Sequence, residues 1–318
     1  MKYSYQSILL LCILSLQLAI AQSTQQNVMS KSVQEYVRDF KSGKDFKHTT
    51  IIQDILDPLG KETLAFLGKE LATADGEVRE KIVELLVTIG KQSNPNNSLV
   101  ISNPKILDLL VGPGLIKSDL GEGAAIEALR TLVVKSDLSR YGLAFAKALS
   151  SSPGYDMFLL IAKAQSIEAK PIVDRLSKQP EWIDDQYARI ARAALGDKSI
   201  EDEYILAVVS AKHGDALTEA LRSLSLIGTP RSLKVIAEQL RTPLISSPST
   251  HSYSTRLSVL DALSYHYPEQ DIFYSSSIWD DSNYAEAEDF CIKHLGAVYS
   301  TPRPPFLTRI PFPMPLRK

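Results

Sequence analysis

The sequence predicts an all-helical fold in which antiparallel helix pairs stack into an α-solenoid. Three observations predict it: apolar residues recur at helical spacing through most of the chain, the helices are short, and glycine or proline marks the turns between them. A short helix pair cannot bury its apolar face alone, so neighbouring pairs must cover one another. We expect this stack to extend over residues 33–300.

The N-terminus has the features of a secretory signal peptide over residues 1–21. Lys2 supplies a positive charge, Ile8–Ala21 is a nearly unbroken apolar run, and Ala19 and Ala21 are the small residues that precede cleavage. The run is too short to span a bilayer comfortably, and no later segment is as apolar. We therefore expect an exported protein, periplasmic or extracellular, without a transmembrane segment and with a flexible start over residues 22–32.

The first clear helix pair lies in the first half of the chain. The sequence Asp-Gly-Glu-Val-Arg at Asp75–Arg79 opens one helix, and Gly90 is expected to end it. Asn103 then caps a second helix whose first residue is Pro104. The expected apolar faces are Val78, Ile82, Leu85, Leu86 and Ile89 in the first helix, and Ile106, Leu107, Leu110 and Val111 in the second.

A second pair, Ala216–Leu240, shows the same pattern more completely. Asp215 is expected to cap its first helix, Gly228 to end that helix in a left-handed conformation, and Thr229 with Pro230 to open the next. The expected apolar faces are Ala216, Leu217, Ala220, Leu221, Leu224 and Ile227, followed by Leu233, Ile236, Ala237 and Leu240.

These segments resemble HEAT-like repeats, including the bacterial variety. The opening at Asp75–Arg79 and the turn at Leu226–Pro230 carry most of the likeness, and Glu127–Leu132 nearly duplicates Glu219–Leu224. The resemblance covers about Thr50–Leu263. It implies an α-solenoid, and it implies no catalytic residue or cofactor, because HEAT-type repeats as a class have none.

Two polar loops and one aromatic segment interrupt the repeats. Gln92–Ser102 and Thr242–Thr255 are expected to be exposed loops. Tyr265–Tyr284 is rich in aromatic and acidic residues, and it either closes the open end of the stack or forms a recognition patch. Candidate partner-binding residues here are Tyr274, Trp279, Asp280, Asp281 and Tyr284.

The tail Thr301–Lys318 differs from the rest of the chain. It has six prolines, four basic residues and no acidic residue, a composition that forbids helix and favours polyproline II. It could dock on the body, dock on another protein or an anionic surface, or remain unstructured. Its candidate binding residues are Arg303, Phe306, Arg309 and Phe312.

Motifs for chemistry are absent from the sequence. There is no phosphate-binding loop, dinucleotide fingerprint or nucleophile elbow, and the five histidines are scattered. Cys291 and His294 could share a helix face but have no second pair of metal ligands, so no metal or cofactor is expected. Cys291 is expected to be a core residue. Residues 22–300 carry a net charge of −7, which argues against a nucleic-acid partner.

The sequence thus predicts a non-catalytic exported scaffold that binds a protein or peptide, because a solenoid offers a long surface to an extended partner. One alternative is a structural protein associated peripherally with the envelope and tethered through the tail. A third is an enzyme subunit whose site forms only in the fold.

Overall fold

The structure, a computed structural model, describes residues 33–43, 59–74, 76–94, 99–115, 121–211, 215–241, 250–273 and 281–300. All regular structure within these ranges is helical, which confirms the all-α prediction. The chain divides into two compact units, Met1–Ile126 and Glu127–Lys318, each with its own packing. The predicted signal peptide, the flexible start, the residue Asp75 and the tail lie outside the described residues.

The first unit is a small helical cluster. Its helices are α1 (residues 33–41), α2 (Lys61–Thr73), α3 (Gly76–Gln92), α4 (Pro104–Val111) and the beginning of α5 (Gly121–Leu132). The helix α2 packs on α3, on α4 and on a short 3₁₀ turn at Pro113–Leu115, and α3 packs on α4. Both apolar faces predicted for α3 and α4 are fully in the core.

The predicted start of α4 is confirmed, whereas the predicted end of α3 is wrong. The Asn103 side chain accepts a hydrogen bond from the Lys105 N–H at 3.0 Å, and Pro104 is the first helical residue, as expected. Gly90 does not end α3, which continues to Gln92. A Cβ atom on Gly90 would lie 2.9 Å from Ile101, so this glycine allows close packing rather than a turn.

The second unit contains the longer series of helices. They are the rest of α5, α6 (Lys135–Leu138), α7 (Gly142–Ser151), α8 (Tyr155–Ala164), α9 (Lys170–Leu176), α10 (Gln186–Ala194), α11 (Lys198–Ser210), α12 (Asp215–Ile227), α13 (Pro230–Glu238), α14 (Thr250–His266) and α15 (Asp281–Leu295). Short 3₁₀ turns lie at Ser139–Tyr141, Ile167–Ala169, Gln239–Arg241 and Asp271–Phe273.

Helices of the second unit contact alternate helices along the chain. The helices α8, α10, α12 and α14 pack one after another, and we call them row A. The helices α11, α13 and α15 pack one after another in the same way, and we call them row B. Successive helices from α10 to α14 also contact each other, so the two rows share one apolar core.

The turn between α12 and α13 is built as predicted. Gly228 has φ +59°, Thr229 accepts a hydrogen bond from the Ser232 N–H, and Pro230 begins α13. The predicted faces are buried except at Ala216, which is exposed, and Ala220, which is partly covered. Ala216 is exposed because it lies in the first turn of α12, ahead of the first core residue, Leu217.

The C-terminal part of the unit departs from the predicted boundaries. The expected loop Thr242–Thr255 is helical from Thr250 onwards, and Tyr265 and His266 belong to α14 rather than to an interruption after it. The last helix begins at Asp281, and Cys291 is completely buried, as predicted.

Candidate functional site: a cleft along row A

A cleft of about 820 Å³ lies along row A. Its lining residues come from the end of α5 and from all four row A helices, and every one of them belongs to the second unit. The volume is within the range of sites that hold ligands of drug or peptide size. The row A helices thus supply most of the cleft wall, including three residues of the shared core, Leu159, Ile190 and Ala262.

The helical repeat explains why these side chains face the cleft. In α12 the core is covered by Leu217, Leu221 and Leu224, which are buried. The lining residues Glu219 and Arg222 are three residues apart and exposed, so they project from a different side of the same helix. In α8 the exposed lining residues Tyr155 and Asp156 lie in the first turn, ahead of the buried run Met157–Ala164.

Three tyrosines, Tyr155, Tyr187 and Tyr265, line the cleft. Tyr155 on α8 is 56% exposed, and its ring lies 5.5 Å from both the Trp182 ring and the Tyr187 ring. Tyr265 on α14 lines the same cleft. Tyrosine rings present a rigid apolar face with a polar tip, a combination that is favoured at binding surfaces.

The charged groups of the cleft are mixed, with an excess of carboxylates. Asp156, Glu219 and Asp261 face two guanidinium groups, Arg130 and Arg222. Arg130 donates to Glu127, with Nε at 3.1 Å from Oε2. Burial alone would lower the pKa of Arg130, but the bond to Glu127 and nearby acidic groups raise it. Partial desolvation raises the pKa of Asp261, and no cation compensates it among the described residues.

A buried lysine lies next to two of the residues that line the cleft, Arg130 and Tyr265. Lys163 on α8 has no exposed surface; its Nζ donates to the Arg130 carbonyl and lies 4.7 Å from the centre of the Tyr265 ring. Desolvation, and after it the nearby Arg130 guanidinium, lower the pKa of Lys163 to about 7 against the opposing effect of Glu269 and Glu127. Burial likewise raises the pKa of the Tyr265 hydroxyl.

Two more side chains from distant parts of the chain bond to carbonyls under the cleft. The His266 Nε2 donates to the Ser225 carbonyl, and burial lowers the pKa of His266 to about 3, so its ring is neutral. The Gln165 Nε2 donates to the Gly228 carbonyl at 2.9 Å, while Lys135 donates to Gln165 Oε1. All three acceptors, counting Arg130, lie in or just after the last turn of a helix.

The two basic groups with the most strongly lowered pKa values near the cleft are withdrawn from solvent. Lys163 and His266, the basic groups with the largest pKa shifts toward neutral forms, are bonded to backbone carbonyls and have little or no exposed surface. Within the described ranges no cluster of three or more His, Cys, Asp or Glu side chains is arranged to hold a metal ion. In the same ranges, none of the helices combines the length and apolarity needed to cross a membrane.

Comparisons of the chain with protein-family models, with curated proteins and with solved structures found no match. The resemblance to HEAT repeats therefore stays a prediction.

The sequence-predicted site residues lie mostly outside the described part of the chain. Those outside are Tyr274, Trp279, Asp280, Arg303, Phe306, Arg309 and Phe312. Asp281 begins α15, and Tyr284 lies on α15 with its ring 5.5 Å from the Arg256 guanidinium. Tyr284 does not line the cleft.

Sequence reasoning missed the cleft residues although one signal pointed to them. Glu127–Leu132 nearly repeats Glu219–Leu224, and the structure places Arg130 and Thr131 of the first copy in the same cleft as Glu219, Arg222 and Ser223 of the second. In the second copy, Leu221 and Leu224 were predicted as core positions. The polar positions between them are the ones that form the wall.

Proposed function

We propose that this chain is a non-catalytic, exported α-solenoid that holds an extended peptide, or an extended segment of a partner protein, in the cleft along row A. The observation that carries the proposal is the composition of the cleft. Four successive helices supply tyrosines, hydroxyls and charges of both signs to one open wall. Such a wall offers repeated, moderately spaced contacts to a chain that runs across the helices.

The packing of alternate helices supports the solenoid part of the proposal. In a stack of helix pairs, the first helix of one pair packs on the first helix of the next, and the second helices do the same. Rows A and B of the second unit follow that rule from α10 to α15. Export is supported by the sequence of residues 1–21.

The position of the buried polar groups supports binding rather than catalysis. A catalytic acid or base must reach the proton that it transfers. Lys163 has no exposed surface, and the His266 side chain donates to the Ser225 carbonyl beneath the wall. Their bonds hold helix ends in place, which keeps the wall rigid and lowers the cost of ordering a bound peptide.

The proposal is tested with a phage-displayed library of random twelve-residue peptides selected on the purified chain. We expect selected peptides to lose at least tenfold in affinity for the cleft variant Tyr155→Ala/Arg222→Glu, because an exposed aromatic anchor and a charge at a peptide interface together contribute more than about 1.4 kcal/mol. Isothermal titration calorimetry measures the dissociation constants.

A matched variant controls for changes in surface composition. Leu143→Ala/Lys147→Glu changes an exposed apolar side chain, 77% exposed, and an exposed lysine on α7, neither of which lines the cleft. It should bind the selected peptides as the unchanged protein does. Equal affinity of the cleft variant and the unchanged protein, with both folded by circular dichroism, would overturn the proposal.

A further inference from the structure

The sequence of the tail, residues 301–318, has the features of a polyproline II ligand. Its six prolines favour that conformation, and Pro302 and Pro305 have the P-x-x-P spacing that places two prolines on one edge of a three-residue helix. Arg303 and Arg309 lie among the prolines, and the segment has four basic residues and no acidic one. A site that binds such a segment needs exposed aromatic rings for the prolines and carboxylates for the arginines.

The cleft along row A provides both kinds of group. Tyr155 and Tyr187 lie with their ring centres 5.5 Å apart and their planes tilted by 58°, so together they form the two sides of an aromatic corner. Asp156 adjoins Tyr155, and Glu219 and Asp261 line the wall beyond it. Asp261 is a carboxylate that has lost part of its hydration without gaining a cation among the described residues, so a guanidinium would stabilise its charged form.

The described chain ends at a fixed point from which the tail is long enough to reach the cleft. Tyr299 donates its hydroxyl to the Ala237 carbonyl at 3.1 Å, and its ring lies 4.2 Å from the Arg241 guanidinium. These contacts hold the chain against α13 in row B. Beyond Ser300, eighteen residues remain. At about 3.1 Å per residue they span roughly 55 Å, whereas packed helices lie about 10 Å apart.

We propose that the tail, residues 301–318, binds the cleft of its own chain in a polyproline II conformation, with prolines against Tyr155 and Tyr187 and an arginine at Asp261. The inference rests on the proposed function, because the same cleft would hold the partner. The tail would then compete with that partner. Because the tail and the cleft belong to one chain, the tail is present at a high effective concentration near the cleft. A partner must therefore bind the cleft more tightly than the tail does in order to displace it.

The direct test places a nitroxide spin label on the tail of the chain that spans residues 22–318, through Thr308→Cys. Cys291 is completely buried, so the label reacts at residue 308. Paramagnetic broadening of backbone amide signals then reports where the tail lies. We expect the strongest broadening on α8, α10, α12 and α14. Broadening that is weak everywhere, or strongest on row B, would overturn the proposal.

Two charge variants and a mixture of isotope-labelled and spin-labelled chains test whether the contact is specific and intramolecular. Asp261→Lys should abolish the broadening along row A, whereas Glu286→Lys, the same change at an exposed site on α15 outside the cleft, should leave it intact. Broadening on an isotope-labelled chain that arises only from the spin label of a second chain would mean binding between copies and would overturn the intramolecular proposal.

The two proposals fail in different ways. If library peptides bind the cleft but the tail label does not approach it, the tail proposal is wrong and the binding function stands. If Tyr155→Ala/Arg222→Glu leaves peptide binding unchanged, the binding function is wrong, and the tail then has no site to occupy.

Discussion

In the second unit, the free backbone N–H groups at the N-terminal ends of helices and the free carbonyls at the C-terminal ends are hydrogen-bonded by different kinds of side chain. At the N-terminal ends, side chains next to the helix accept the free N–H groups: Asp185 at α10, Asp197 at α11 and Thr229 at α13. At the C-terminal ends beneath the cleft, donors reach the free carbonyls from far along the chain. Lys163 is thirty-three residues from Arg130, and His266 is forty-one residues from Ser225.

The difference shows what a helix end requires in this molecule. A carboxylate or hydroxyl at an N-terminal end is close to water and has a favourable interaction with the helix dipole. A donor at a C-terminal end under the cleft is buried, so it must lose its hydration, and the pKa values of Lys163 and His266 fall as a result. The donors at the C-terminal ends therefore tie distant helices together, whereas the capping bonds to N–H groups at the N-terminal ends are local.

The largest effect is expected where both kinds of end meet, at Gly228. Gly228→Ala would place a Cβ atom 2.0 Å from His266 Cε1 at a residue with φ +59°. Because the buried ring has no space to move, we expect a loss of at least about 4 kcal/mol in the free energy of unfolding. Gly296→Ala tests the backbone effect alone, since φ is +63° and nothing lies within 4 Å; it should cost about 1 kcal/mol. Equal losses in urea unfolding would contradict the role of His266.

The second-largest expected effect is a pH dependence of the free energy of unfolding, which arises from His266 where it bonds to the C-terminal end of α12. The pKa of His266 is about 3 in the folded protein and near 6.5 when unfolded. The unfolded chain therefore takes up the proton first, so the stability present above pH 6.5 falls as the pH drops toward 3, by up to about 4 kcal/mol.

The variant His266→Phe isolates that dependence. It should be less stable at pH 7 by about 2 kcal/mol, because the Ser225 carbonyl loses its donor, and it should lose less stability than the unchanged protein between pH 6.5 and 4. Urea unfolding at a series of pH values gives both numbers. Parallel curves for the two proteins would show that His266 is not neutral in the fold.

A smaller effect is expected at the N-terminal end of α13. The buried Glu201 carboxylate on α11 accepts hydrogen bonds from the Thr229 hydroxyl and from the Ser232 hydroxyl at 2.8 Å. Glu201→Ala removes both bonds and should cost about 2 kcal/mol. Glu201→Gln keeps an acceptor oxygen and should cost less than half as much. The contrast would be lost if both variants unfolded at the same urea concentration.

The smallest effect is expected at a cap that acts alone. The Asp185 carboxylate accepts from the Tyr187 and Ala188 N–H groups, both at 2.9 Å, at the start of α10. Asp185→Ala should lower stability by about 1 kcal/mol. Asp184→Ala changes the exposed neighbouring carboxylate, which makes no cap, and should change stability by less than about 0.5 kcal/mol. A larger loss of stability in Asp184→Ala than in Asp185→Ala would show that Asp184, and not Asp185, caps α10.

The same contrast explains how much of the fold the sequence could predict. The caps at Asn103, Asp185 and Thr229 were predictable because each side chain bonds to an N–H two or three residues away. The role of Gly90 was not predictable, because the reason for a glycine there is Ile101, which lies in the segment before α4 and comes close to Gly90 only in the fold. Positions that depend on a distant neighbour carry no local signal.

The candidate site divides along the same line. The repeated leucines of Glu127–Leu132 and Glu219–Leu224 identify core faces because burial follows the helical period. To predict the cleft, one would have to know that α5 and α12 lie on the same side of the unit. One would also have to know that the tyrosines of α8, α10 and α14 lie there with them. Periodicity gives the faces of each helix but not which faces meet.

The burial of Cys291 has a practical consequence for all of these measurements. Its thiol has no exposed surface, and burial raises its pKa to about 12, so it is protonated and shielded in the folded protein. In a chain that starts at Gln22 it is the single cysteine. Its reaction with a maleimide or disulfide reagent therefore requires α15 to detach from the core. The rate of modification then measures how often α15 opens, without any engineered probe.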